Sequence, residues 1–162
     1  MIPPKKGRRH ALRVIRDLVA FRPEGRRTNL AAALHYATEL LKHRSIVVVL
    51  SDFLAEGWEQ PLRQLGVRHD VVAVAVEDPR ESELPDAGWL DLEDAETGAR
   101  RLVDTGDRQV RGRLRALAER RREDRARAFA AANVDQVVIA TNADYAPVLR
   151  RAFGQRARRI HR

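Results

Sequence analysis

The sequence predicts an α/β fold with a mostly parallel sheet covered by helices on both faces. Residues 46–50, IVVVL, form an aliphatic run without polar alternation, which is typical of a strand buried on both faces. Residues 71–76 and 136–140 predict two further buried strands. Helical patterns lie between these strands, and strands that alternate with helices favour a three-layer parallel architecture.

The remaining elements follow from local patterning. Thr28 opens the second helix, and Pro23-Glu24-Gly25 separates it from the first. A turn at Glu96-Thr97-Gly98 between two apolar segments predicts a small β-hairpin. The apolar stripe of the longest helix weakens past Arg120, which predicts an exposed middle. The predicted helices cover 10–20, 29–42, 58–65, about 107–132 and 143–153, and the hairpin strands cover 89–92 and 101–103.

Composition limits the class of protein. A chain of 162 residues with 44% hydrophobic and 33% charged residues predicts one globular domain over residues 1–162. The absence of cysteine excludes disulfides, thiolate nucleophiles and cysteine metal sites. The longest aliphatic run, 71–76, is too short to span a bilayer, and no apolar signal segment follows the basic N-terminus. We therefore expect a cytoplasmic protein without a membrane segment.

Positive charge is concentrated at the two ends of the chain. The net charge is +8, and residues 1–13 and 150–162 carry five and six cations with no acid. Basic ends can bind phosphate-rich partners, so nucleic-acid or acidic-partner binding through the termini is an alternative function. Only three of the 31 cations are lysine, which indicates an arginine bias along the whole chain and favours solvated tails.

The common catalytic motifs do not occur in the sequence. No G-x-G pair is present, which excludes a dinucleotide fingerprint and a Walker loop, and the five histidines include no H-x-x-x-H zinc spacing. Ser51 lacks the glycines of a nucleophile elbow, so a triad with His69 is disfavoured and His69 is interpreted as a loop or strand-edge residue. The sequence thus predicts no catalytic residue and no enzyme. A metal-assisted hydrolase using Asp52, Asp78 and Glu81 is the weakest alternative.

Acidic residues follow two of the predicted strands. Ligands of open α/β sheets bind at the carboxyl ends of the strands, so Asp52 is either a ligand-handling group or a cap of the following turn. Thr28 is likewise a site residue or a helix cap. We expect Asp78 and Glu81 to accept backbone N–H groups or to pair with an arginine. The alternative is a partner-binding surface formed by Ser51, Asp78 and Glu81.

Five segments occur in a specific order: GRRHALRVIRDL, GRRTNLAAAL, RSIVVVLSDF, RHDVVAVAVEDPRESELPDAGWLDLEDAETG and RRAF. This order resembles the bacterial domain-of-unknown-function family fifty-eight, a family of von Willebrand factor A-like domains. The resemblance covers essentially all 162 residues. Its most specific part is the DPRE…LP…G…D…TG pattern that begins at Asp78. It implies an incomplete von Willebrand A-like domain.

The resemblance also implies a degenerate metal site. In von Willebrand A domains a D-x-S-x-S loop, a threonine and an aspartate hold a divalent cation, usually Mg²⁺. The matching positions here are Thr28 and Asp52, but no D-x-S-x-S is present. Two oxygen ligands are too few to offset the cost of dehydrating Mg²⁺, so we expect weak or no Mg²⁺ binding.

The implied function is protein interaction, in partnership with a MoxR-type AAA+ ATPase during assembly or maturation. The strand 46–50 would be left at an open sheet edge without charge, proline or bulge. Such edges pair with other chains. We therefore expect a homo-oligomer, most simply a two-fold dimer in which this strand pairs antiparallel with its copy.

Overall fold

The computed structural model describes residues 2–3, 5–22, 28–94 and 96–160, with side chains described up to residue 156. The described strands form a three-stranded parallel sheet and a two-stranded antiparallel hairpin. The strands are β1 Ile46–Ser51, β2 Asp70–Glu77, β3 Trp89–Glu93, β4 Arg100–Asp104 and β5 Asp135–Ala140. The helices are α1 Arg8–Ala20, α2 Leu30–Leu40, α3 Glu59–Arg68, α4 Arg108–Ala131 and α5 Tyr145–Ile160, with a 3₁₀ turn at Pro79–Glu81. The predicted α/β class, parallel sheet and hairpin are confirmed.

Strand β2 lies at the centre of the parallel sheet, in the order β1-β2-β5. The register pairs Val48 with Val72 on one side and Val74 with Val137 on the other. Residues 71–75 are all at most 2% exposed. The prediction of a doubly buried strand at 71–76 is therefore confirmed for its first five residues, which form the centre of the core.

One face of the sheet is covered by α2, α3 and α4. Phe53, Trp58 and Phe129 form an aromatic cluster on this side, with ring centroids 4.9–5.3 Å apart. Edge-to-face and tilted contacts of this kind add to the stabilisation from burial alone. The aliphatic core around the cluster includes Leu34, Leu62, Leu65, Val71 and Ala73.

The opposite face is only half covered. Helix α5 packs Leu149 and Ala152 over Val72, Val74 and Val137. The outward side chains of β1 on this face remain exposed: Ile46 at 59%, Val48 at 40% and Leu50 at 64%. The prediction that 46–50 is buried on both faces is therefore wrong, because no described element reaches across β1. The predicted third buried strand is also an edge strand, in which only Val137 is buried.

Helix α1 is amphipathic and buries no residue. Its apolar side chains are 55–84% exposed, which holds for Leu12, Ile15, Leu18 and Val19. The predicted helix at 10–20 is thus present, without a packing partner in the described part of the chain. The predicted break at 23–25 lies outside the described residues. Within those residues, no helix combines the length and the apolar character needed to cross a bilayer.

Candidate functional site

The carboxyl ends of β1 and β2 meet at one edge of the parallel sheet. Ser51 pairs in register with Ala75, so the chain after β1 lies beside the end of β2. Residues 51–54 and 77–83 form this region, which we call the carboxyl edge. Ligands of open α/β sheets bind in this position. The carboxyl edge is therefore the candidate site, as the strand-end carboxylates predict.

Asp52 forms a local turn at the carboxyl edge. Its Oδ1 accepts the backbone N–H of Leu54 at 3.1 Å, and the Ser51 hydroxyl oxygen accepts that of Phe53 at 3.0 Å. Phe53 has a φ of 58°, a conformation that non-glycine residues rarely adopt. The two side-chain acceptors hold this turn, and the buried Phe53 ring anchors it in the core. Asp52 is thus the turn cap that the sequence offered as one alternative.

Thr28 does not cap the second helix. The N-cap is the next residue, Asn29, whose Oδ1 accepts the backbone N–H of Ala32 at 2.9 Å. Asparagine is as strong an N-cap as aspartate or serine and is preferred to threonine there. The Thr28 backbone N–H instead donates to Glu96 Oε1 of the hairpin turn at 3.2 Å. Of the two alternatives for Thr28, the helix cap is therefore wrong by one residue.

Thr28 and the acids of the carboxyl edge are not gathered into one cluster in the described part of the chain. No hydrogen bond joins Thr28 to Asp52, and no group of three or more described carboxylate or imidazole side chains could hold a metal ion. This includes the combination of Asp52, Asp78 and Glu81. Asp52 Oδ1 already accepts the backbone N–H of Leu54. Since Mg²⁺ prefers near-octahedral oxygen coordination, this donor set does not fit it.

The loop after β2 contains one satisfied carboxylate and one exposed carboxylate. Asp78 Oδ1 accepts the backbone N–H of Arg80 at 2.9 Å and caps the 3₁₀ turn. This is the structural role expected for Asp78. Glu81 has no such acceptor role, and no arginine of the described chain pairs with it within 4 Å. The same role expected for Glu81 is therefore wrong.

Crowding of negative charge distinguishes Glu81. Partial desolvation raises the pKa of its carboxyl, and the charges of Asp52, Asp78 and Glu77 raise it further, while Arg121 opposes them. The charges of three other carboxylates therefore act on Glu81 at the carboxyl edge. Glu81 and Asp52 are both exposed, but Asp52 already accepts a backbone N–H, so Glu81 is the exposed carboxylate without a described partner.

Two arginines of α4 support the carboxyl edge from below. Arg122 Nε lies 3.0 Å from Glu77 Oε2, and Arg125 pairs with the other carboxylate oxygen. Arg122 also donates to the Ser82 hydroxyl at 3.2 Å. Sequence reasoning missed these arginines, because they lie where the apolar stripe weakens. Arg122 lies three residues before Arg125, and Arg125 lies four residues before buried Phe129, so helical spacing was the available signal.

The structure agrees with the interpretation of His69 and disagrees with that of Arg156. His69 is a buried strand-edge residue, as interpreted, and its Nδ1 accepts the Ser45 N–H at 3.3 Å. It lies at the amino end of β2, at the opposite end of the sheet from Ser51, so the two cannot form a triad. Arg156, predicted in a solvated tail, pairs with Asp70 and Asp135 and is only 13% exposed. Arg150 and Arg151 of that tail are exposed, and its cations from residue 158 onwards lie outside the described side chains.

Comparison with known proteins gives one family. The family model described as "Protein of unknown function DUF58" matches residues 1–124. An uncharacterized protein of Mycobacterium avium is 34% identical over 147 residues, which is 89% of this chain and 86% of that protein. Uncharacterized proteins of Mycobacterium bovis and Mycobacterium tuberculosis are 32% identical over 160 residues, 97% of this chain. The chain spans only half the length of these two relatives. No solved structure matches the chain.

Proposed function

The chain belongs to the DUF58 family, and from this premise we propose that it is a von Willebrand A-like protein-interaction module rather than an enzyme. Its partner in this proposal is a MoxR-type AAA+ ATPase, which it assists in assembly or maturation in the cytoplasm. The match to the family model supports membership of the family, and the sequence resemblance described above suggests the partner.

The observation that carries the proposal is the exposed Glu81 carboxylate, which is presented by turns whose backbone is held in place. The turns that present it are held by Asp52 and Asp78 through backbone hydrogen bonds. Arg122 and Arg125 fix Glu77 beneath it. A charged group held on rigid elements at a strand end can bind a cationic partner group with little loss of conformational entropy. We therefore assign partner binding to Ser51, Asp78 and Glu81, with Glu81 as the main contact.

The proposal is tested by binding to a purified MoxR-type ATPase of the source organism. Glu81→Lys should weaken binding at least about tenfold, because a like charge replaces an attractive one. Glu39→Lys is the matched control, because Glu39 is an exposed glutamate near the opposite end of the sheet. Retained binding of Glu81→Lys, or an equal loss in Glu39→Lys, would contradict the assignment of the carboxyl edge.

The proposal includes self-association through β1. This strand pairs with β2 alone among the described strands, and its outward apolar side chains are exposed. Unpaired edges of this kind favour pairing with another chain. We propose a two-fold dimer in which the β1 strands of two copies pair antiparallel, which leaves both carboxyl edges accessible.

A further inference from the structure

A pocket lies at the amino end of the parallel sheet, at the opposite end from the carboxyl edge. The end of α2 and the segment after it contribute most of its lining, and the end of α3 contributes the rest. Its volume is about 700 Å³, which is within the range of about 300–1,000 Å³ that small-molecule sites occupy. The titratable side chains of its described lining are three cations, two imidazoles and one carboxylate: Lys42, Arg44, Arg68, His43, His69 and Glu39. We call it the amino-end pocket.

Hydrogen bonds hold the two segments of the amino-end pocket side by side. The backbone N–H of Asp70 donates to the Ser45 carbonyl oxygen at 2.9 Å, and the backbone N–H of Ser45 donates to His69 Nδ1 at 3.3 Å. Arg44 directly precedes Ser45, and Arg68 directly precedes His69. The two guanidinium groups are therefore carried by backbone that is already fixed, which lowers the entropic cost of binding a ligand between them.

The charge of the amino-end pocket favours an anion. Lys42, Arg44 and Arg68 are exposed, and no carboxylate of the described chain pairs with them within 4 Å. Glu39 is the only acid of the described lining. Helices α2 and α3 both end here, and each C-terminus is equivalent to about −0.5 charge. Even after Glu39 and both helix ends are counted, a surplus of about one positive charge remains.

His69 adds an unsatisfied hydrogen-bond donor to the wall of the amino-end pocket. Its side chain is 5% exposed, and Nδ1 accepts an N–H, so the ring proton lies on Nε2. Nε2 is buried and has no hydrogen-bond partner among the described residues. Buried N–H groups of folded proteins are almost always paired. An oxygen acceptor bound in the pocket would satisfy this group.

We propose that the amino-end pocket binds a small polar molecule that carries a phosphate monoester. This group carries about −1.5 to −2 charges at pH 7 and three strong acceptor oxygens. Its oxygens can serve Arg44 and Arg68 together and still accept the Nε2–H of His69, whereas a carboxylate has only two oxygens. Lys42 adds a further positive charge. Leu41 is the one leucine, isoleucine or valine of the described lining, so a polar ligand fits better than a lipid.

Titration calorimetry of the whole chain with glycerol 3-phosphate tests the proposal. The ligand should bind at one site, at least about tenfold more tightly than glycerate, which carries a carboxylate on a similar carbon skeleton. Binding should weaken as salt is raised. No binding of glycerol 3-phosphate, or equal binding of glycerate, overturns the proposal. Tighter binding of a short oligothymidylate without terminal phosphates would assign these cations to nucleic acid and would also overturn it.

A matched pair of variants locates the site. Arg68→Glu should weaken binding of glycerol 3-phosphate at least about tenfold, because a repulsive charge replaces an attractive one. Arg63→Glu makes the same charge change at an exposed position of the same helix outside the described lining, and it should keep the wild-type affinity. An equal loss in both variants shows non-specific attraction and overturns the proposal.

NMR of the ¹⁵N-labelled imidazoles tests the contact with His69 in the wild-type protein, so no substitution of this buried residue is needed. The His69 Nε2 signal should shift when glycerol 3-phosphate is added and should stay unchanged with glycerate. An unchanged signal at saturating glycerol 3-phosphate overturns the placement of the ligand in this pocket. The inference goes beyond the proposed protein interaction, and none of these measurements involves the ATPase, so the two proposals can fail separately.

Discussion

Arg125 and Glu77 form a largely buried ion pair between α4 and the end of β2. The two side chains are 10% and 16% exposed, and Arg122 contacts the second carboxylate oxygen at 3.0 Å. Glu77 therefore receives two guanidinium groups at the carboxyl edge. The pair connects the central strand to the helix that carries Phe129 of the aromatic cluster.

Removal of Glu77 should destabilise the protein strongly. Glu77→Ala leaves Arg125 buried without its carboxylate, which typically costs about 3–5 kcal/mol. Asp124→Ala is the control, because it breaks a pair with Arg127 in which both side chains are more than half exposed. Its effect should stay below about 1 kcal/mol. Urea unfolding measures the free energy of unfolding of both variants. Similar losses of stability would show that the Glu77 pair contributes no more than a surface pair.

Glu81→Gln should stabilise the protein at neutral pH. Partial desolvation and neighbouring carboxylates raise the pKa of Glu81 above its ordinary value of 4.5, so the folded state disfavours the charged form. The contribution of Glu81 to stability is therefore fully present below the unfolded pKa and is lost as pH rises through the folded pKa. The gain from Glu81→Gln should be present at pH 7, stay below about 1 kcal/mol because the group is exposed, and vanish in acid.

Thermal unfolding of the wild-type protein and Glu81→Gln, measured across a range of pH, tests this prediction. Glu83→Gln is the control, because Glu83 pairs with Arg115 at 2.9 Å and its loss should not stabilise the protein. A gain for Glu81→Gln that persists unchanged in acid would contradict the electrostatic origin.

Two helical glycines should respond oppositely to alanine. A Cβ at Gly66 would lie 2.6 Å from the Ala132 carbonyl oxygen and 3.3 Å from Val134 Cγ2. Gly66→Ala should therefore destabilise the protein by about 1–3 kcal/mol through overpacking. A Cβ at Gly112 meets nothing within 4 Å, so Gly112→Ala should stabilise α4 by up to about 1 kcal/mol. Chemical denaturation measures the free energy of unfolding of both variants. An unchanged free energy for Gly66→Ala would show that α3 and the 132–134 segment can separate easily.

Mg²⁺ should bind weakly or not at all. The side chain of Asp52 already holds its own turn, and the described contacts do not bring Thr28 to it. Titration calorimetry should detect no one-to-one site tighter than roughly millimolar. The prediction fails if such a site is found and Asp52→Ala abolishes it.

The chain should self-associate through β1. Pairing of two edge strands satisfies unpaired backbone groups and covers Ile46, Val48 and Leu50. Sedimentation at micromolar concentration should show a dimer, and Val48→Lys should shift it to monomer. Val67→Lys is the control, because Val67 is 82% exposed on α3. A monomeric wild-type protein would exclude this dimer.

Much of the fold could be predicted because the spacing of hydrophobic residues along the chain reflects which side chains are buried. The run at 71–76 and the turn around Gly98 identified β2 and the hairpin. The same run-based reasoning failed for 46–50, because an aliphatic strand has the same composition whether or not a neighbouring element covers it. The arginines at 122 and 125 were missed for a related reason. Their ion pairs depend on a carboxylate 45 or more residues away along the chain, which no local pattern records.

The range matched by the family model ends at residue 124, inside α4. A chain cut at this point would keep Arg122 but lose Arg125, Phe129, β5 and α5. It would divide the pair of arginines that hold Glu77, remove one ring of the aromatic cluster and leave β2 without a neighbour on its second side. The end of the family-model match is therefore not a structural boundary. Any dissection of this protein into parts should keep α4 whole and retain the strand and helix that follow it.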